Sequence, residues 1–142
     1  MSELSVISQA ARRTLIQELG ARRTPDETAL AAFTVYRKLF VCLSVILGEG
    51  GTFALFRHSV RRTQSTFPFF SEVMVIQPNA FLNALRACLQ KQKPDSAVEA
   101  SIALLTSFVE LLATFIGARL TSQLLYDIWP DIWSLEPQER QE

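Results

Sequence analysis

The sequence predicts an all-α fold: a compact helical bundle of two tandem short-helix/long-helix units related by a pseudo-two-fold, in a single domain spanning 1–142. Three observations predict it. Apolar residues recur at three- and four-residue steps along most of the chain, the period of an amphipathic helix. Two strings, Thr24-Pro25-Asp26-Glu27 and Lys93-Pro94-Asp95-Ser96, place a proline and an acid where helices open. Shifting the chain by the 69 residues that separate Pro25 from Pro94 lays one half over the other without a gap.

The elements follow in order. Val6 to Ala21 carries Val6, Ile7, Ala10, Ala11, Leu15 and Leu19 at helical spacing, with Arg12, Arg13 and Glu18 between them, and Gly20 marks its end. Thr24 offers a capping oxygen to the next helix, with Asp26 and Glu27 in its first turn. From Ala29 to Leu47 that helix is apolar on most faces, broken by Arg37 and Lys38. Helical spacing resumes after the glycines at Phe53, Leu55, Phe56 and Val60, and the segment closes on Arg57, His58, Arg61 and Arg62, cations suited to a helix C-terminus. Phe67-Pro68-Phe69-Phe70 interrupts it, and Val73 to Ile76 reads as a short extended connector. Asn79 is the expected cap of a helix from Ala80 to about Gln92. The last helix is expected to run unbroken from Pro94 to Trp129, before Pro130, with a polar, frayed tail from Leu135 to Glu142.

In the 69-residue register Ala31 meets Ala100, Leu39 meets Phe108, Gly48 meets Gly117, Thr52 meets Thr121 and Leu55 meets Leu124. Any two amphipathic helices can be slid to match apolar positions, but periodicity does not require a shared Pro-Asp start or a shared Gly-x-x-x-Thr-x-x-Leu. The repeat is therefore read as approximately 4–67 and 73–133.

Composition limits the function classes. With 14 basic and 14 acidic side chains the chain has no net field to attract nucleic acid, and the doublets Arg12-Arg13, Arg22-Arg23 and Arg61-Arg62 read as solvated faces and helix-end charges. Cys42 and Cys88 lack CxxC spacing and read as core residues. His58 is the only histidine and has no ligand cluster at metal spacing, so no metal and no cofactor are expected. No catalytic constellation assembles, so the chain is not expected to be an enzyme. Ala100 to Ala118 is nearly long enough to span a bilayer, but Glu110 at its centre and the polar stripe of Glu99, Thr106, Glu110, Thr114 and Thr121 fit the central helix of a bundle better. The acid near the N-terminus does not resemble a signal peptide, so a cytoplasmic address is expected.

The glycine-dense stretch Leu47-Gly48-Glu49-Gly50-Gly51-Thr52 lacks both the lysine of a phosphate loop and the last glycine of a dinucleotide fingerprint. It reads as a tight helix crossing at Gly48 and Gly117, with Gly50 and Gly51 adding a local weakness that can kink or break the helix; Gly48, Glu49, Gly50, Gly51 and Gly117 are thus the candidate kink, hinge or pocket mouth. Phe70, Trp129 and Trp133, each beside or near a proline, are the candidate partner-binding residues if they stay partly exposed; their simpler role is to plug the bundle ends.

The segment Phe115-Ile-Gly-Ala-Arg-Leu-Thr-Ser-Gln-Leu-Leu-Tyr-Asp-Ile-Trp-Pro130 resembles the C-terminal helix of small, uncharacterised bacterial all-helical proteins. The resemblance covers about the last quarter of the chain, and it implies a bacterial source and no activity.

The expected function is a non-enzymatic helical protein–protein interaction or regulatory module whose partner is another protein or itself, as a homodimer. Neither nucleic acid nor a membrane is the expected partner. The alternative is a sensor for a small apolar ligand, held between the long helices in a pocket lined by Phe40, Phe53 and Phe108. Attachment to a membrane surface ranks third.

Overall fold

The computed structural model describes residues 3–20, 24–73 and 80–133, and there the chain is all-helical. Five α-helices follow in order: α1 (Glu3–Leu19), α2 (Pro25–Gln64), α3 (Phe81–Gln90), α4 (Pro94–Ile116) and α5 (Ala118–Ile128), with a 3-10 turn over Pro68–Val73 between α2 and α3. Arg22-Arg23, the Met74 to Ile76 part of the expected connector, the expected cap Asn79 and the tail from 135 lie outside the described residues.

The helix starts and stops form where the local chemistry places them. Gly20 ends α1 in the left-handed region (φ 73°), its N–H donating to the Ile16 carbonyl at 2.8 Å. Thr24 caps α2 by accepting the Glu27 N–H at 3.2 Å, satisfying one of the donors a helix N-terminus leaves open. The proline-led start at Pro94 opens α4 without a side-chain cap. Val73, expected in an extended connector, instead closes the 3-10 turn and is buried. Proline 68 cannot continue a helix in register, whereas a short 3-10 turn accepts it at its first position.

Both long helices are broken: an interruption at the glycines of α2 is among the expectations, whereas the break in the last helix departs from the sequence reading. Inside α2, Gly48 takes φ 78° and ψ 161°, and between α4 and α5, Gly117 takes φ 93° and ψ 152°. The chain turns back at Gly48. Phe40 and Phe56 are 16 residues apart, about 24 Å along a straight helix, yet their rings stack at 5.5 Å, and Phe56 also meets Tyr36 edge-on at 5.7 Å. The turn at Gly117 also returns the chain. Glu99, far upstream in α4, holds Arg12 of α1, while Trp133 beyond α5 reaches Thr14, within the same turn of α1 as Arg12.

Phe56 is the centre of the core. Its ring stacks on Phe108 of α4 at 4.3 Å and tilts against Phe81 of α3 at 5.6 Å, so α2, α3 and α4 converge on it. Small side chains fill the starts of the long helices, where Ala29, Ala31, Ala32, Ala97 and Ala100 are buried. Five buried hydroxyls bond within their own helix, while those of Thr28, Ser101, Ser107 and Thr121 have no partner among the described residues. Thr14, Thr52, Ser59, Thr63 and Thr106 each donate to the carbonyl four residues earlier at 2.8–2.9 Å, which removes the cost of an unpaired buried donor. Tyr36 crosses between helices, donating its hydroxyl to the Ser101 carbonyl at 2.6 Å.

Candidate functional site at the two glycine breaks

α2 and α4 start close together: Gln90, four residues before Pro94, donates to Asp26 at 3.4 Å. Both then reach the level of Phe56, through Tyr36 and Phe40 on one side and Phe108 on the other. They therefore run in the same direction, and both breaks lie beyond the Phe56 cluster, at the end opposite the helix starts. The chain is exposed there in two runs, 48–51 after Val45 and Ile46, and 117–120 after Thr114 and Phe115.

This end face is apolar. Val45 is 84% exposed and Phe115 69%, and Ile46 and Leu120, each within three residues of a break, are exposed as well. The face also carries Glu49 and Arg119, both exposed. Neither has a hydrogen-bond or ion-pair partner among the described residues. Sequence reasoning passed over these apolar residues, although a signal exists: in the 69-residue register Ile46 and Phe115 are equivalent, each two residues before its glycine.

The sequence-predicted site residues separate into two groups. Gly48, Glu49, Gly50, Gly51 and Gly117 come together at the end face, but a tight helix crossing is not what the glycines provide. A Cβ built on Gly48, Gly50 or Gly117 would meet nothing within 4 Å, so no neighbouring backbone presses on them. Gly48 and Gly117 are required for their backbone, since positive φ with ψ near 155° is a conformation essentially confined to glycine. Gly50 and Gly51 remain helical.

Phe70, Trp129 and Trp133 are held elsewhere. Phe70 and Trp129 are buried, so the partial exposure on which their candidate partner-binding role depended is absent. Phe70 packs against Phe67 and Phe69, with ring centroids at 6.3 and 5.1 Å. The reversal at Gly117 carries Trp129 onto α1, where its indole N–H donates to Glu18 at 3.3 Å, and Glu18 also pairs with Lys38. Trp133 is half-buried and donates to Thr14 at 2.8 Å.

The remaining groups are held in inert surroundings. Burial pushes the Cys88 thiol up to about 11, with Glu72 adding to the shift, and its S–H donates to the Phe69 carbonyl at 3.3 Å. Burial and the nearby Asp127 raise the Cys42 thiol, and burial alone raises the Tyr36 phenol. A thiol shifted this way is a poorer nucleophile at neutral pH. His58 is exposed on α2. Among the described residues no three His, Cys, Asp or Glu side chains gather where a metal could be held. Phe40, Phe53 and Phe108, the expected pocket lining, pack against Phe56 and Phe81 instead.

Two helices, over Asp26–Gln64 and Pro94–Ile116, are long and apolar enough by length and composition to cross a bilayer. The first folds back at Gly48, and more than half of the apolar window in the second is buried inside the bundle. Comparison with known proteins gives no further constraint: the chain matches no family model, no curated protein and no solved structure.

Proposed function

We propose that the protein is a non-enzymatic helical interaction or regulatory module that presents the end face at Gly48 and Gly117 to a protein partner. The observation that carries this reading is the exposure of Val45, Ile46, Phe115 and Leu120, all within three residues of a break, with Val45 the most open of them. Scattered surface apolar residues are ordinary in any protein, but a cluster rimmed by charge marks a contact surface. The apolar-ligand reading has less support, because the three rings that would line a pocket are packed against other rings.

We also infer that the bundle arose from two tandem units, 4–67 and 73–133, related by a pseudo-two-fold. In its support, the helix starts at Pro25 and Pro94 and the breaks at Gly48 and Gly117 share one 69-residue spacing, and the two glycines share one unusual backbone conformation. Each unit then has a short helix followed by a long helix that turns back on itself.

A photo-reactive phenylalanine analogue at Val45, compared with one at the exposed Gln17 of α1, tests the interaction reading. A discrete protein adduct from position 45 and none from 17, in the full chain exposed to cell extract, is the expected outcome. Adducts from neither position, or equal labelling from both, would remove the case for this face.

A further inference from the structure

The chemistry of the end face points to its occupant. Its apolar centre is flanked by one acid, directly after the first break, and one base, two residues after the second. Both are exposed and neither has a partner among the described residues. A lipid surface that recruits proteins by charge selects a cluster of basic residues around the apolar anchor. This face has no such cluster; its charges cancel. A surface with one acid on one side of an apolar patch and one base on the other is complementary to itself, because a two-fold axis through the patch carries each charge onto the position opposite its counterpart.

We propose that the end face docks a second copy of this chain about a two-fold axis, with Val45, Ile46, Phe115 and Leu120 at the centre and Glu49 of each copy paired with Arg119 of the other. This rests on the reading of the face as a protein-contact surface and deepens it by naming the partner. The two glycine turns are what make the contact accessible. Each ends a helix abruptly, so the last apolar turn before it projects at the end of the bundle without being covered by a continuing helix.

The test uses the purified full chain alone. Sedimentation equilibrium of the wild type is expected to give twice the 16.0 kDa of one chain. Val45→Glu and Phe115→Glu, both at exposed positions where folding is not at stake, are expected to give monomers with unchanged helical circular dichroism. Glu49→Arg and Arg119→Glu each turn two attractive pairs into two repulsive ones, weakening the dimer by on the order of tenfold or more. Mixing those two variants restores both pairs in a heterodimer, which native mass spectrometry resolves by mass. That recovery is the signature of the proposed pairing.

A wild-type monomer at every concentration reached would overturn the proposal. So would a dimer that survives Val45→Glu and Phe115→Glu, because its contact lies elsewhere, and so would single charge variants that fail to recombine. Co-sedimentation of a monomeric wild type with phosphatidylcholine or phosphatidylserine vesicles would make lipid the occupant instead. The interaction reading has a separate readout: a monomer that still gives a protein adduct from position 45 refutes the second copy and leaves the contact surface standing.

Discussion

Replacing Gly48 with alanine separates two roles for this glycine, and the structure supplies the sign and the size. If Gly48 served close packing, the added methyl would collide with a neighbour. It does not: the Cβ has open space for 4 Å. The whole cost must therefore come from holding an L-residue at φ 78° and ψ 161°, a conformation outside the allowed regions for side chains. That cost is on the order of 1–3 kcal/mol. Gly50, two residues on, makes the internal control, because it is helical, exposed and equally open. There alanine relieves the flexibility that glycine adds to the unfolded chain, stabilising by about 0.4–1 kcal/mol. The two variants thus differ by one methyl at neighbouring positions and shift stability in opposite directions. Urea titration followed by circular dichroism measures both, with the midpoint falling for Gly48→Ala and rising for Gly50→Ala at an unchanged slope. Gly117→Ala should match Gly48→Ala. A neutral or stabilising Gly48→Ala would show that the helix continues through position 48, and the reversal that brings Phe40 onto Phe56 would have to be abandoned.

Phe56→Ala empties the meeting point of Tyr36, Phe40, Phe81 and Phe108, and should cost about 3–5 kcal/mol in equilibrium unfolding, enough to leave a partly unfolded chain. The raised thiol of Cys88 makes stability depend on pH at the alkaline end. Above the ordinary thiol value of 9 the unfolded chain has lost a proton the folded chain still holds, so stability is complete below pH 9 and falls as pH rises to about 11, by up to roughly 2–3 kcal/mol. Cys88→Ala should make that part of the profile shallower, leaving the fall that the raised Cys42 thiol and Tyr36 phenol contribute. In native protein at pH 8 a thiol reagent should label Cys88 far more slowly than it does in denaturant. Val45→Glu, by contrast, should leave monomer stability within about 0.5 kcal/mol of wild type, since its side chain touches little of the core.

How much of this was legible in the sequence depends on which physical quantity each residue type reports. Thr24-Pro25-Asp26 acts through its own backbone and the next turn, so the start of α2 could be read locally and occurs where expected. Apolar periodicity reports which face of a helix is covered, and that pattern carries on past Gly117 without interruption. It is silent on direction, so a helix that turns back looks the same as one that continues. The glycines were visible, and their shared register was visible, but a glycine serves either a close neighbour or a rare backbone conformation, and only the dihedral angles distinguish them. The burial of Trp129 follows from the same reversal. A straight helix would have carried Trp129 away from α1, whereas the turn at Gly117 brings its indole against Glu18. Conversely, Val45 and Phe115 have the composition of core residues, and nothing in a valine or phenylalanine announces that the chain ends its helix before a neighbour can cover it.

The hydroxyls that bond back along their own helices have a mechanical consequence. A threonine bonded to the carbonyl four residues earlier says nothing about which neighbouring helix lies beside it, so such bonds persist if that neighbour slides by a turn. Among the described residues, the fully buried hydrogen bond that joins two helices is the one from Tyr36 to Ser101. It acts as a locating pin: shape brings α2 and α4 together over a range of offsets, and the phenol admits one of them. Tyr36→Phe preserves that shape while removing the pin, so the expected damage is to the uniqueness of the packing, seen as broadened side-chain resonances, more than to helix content.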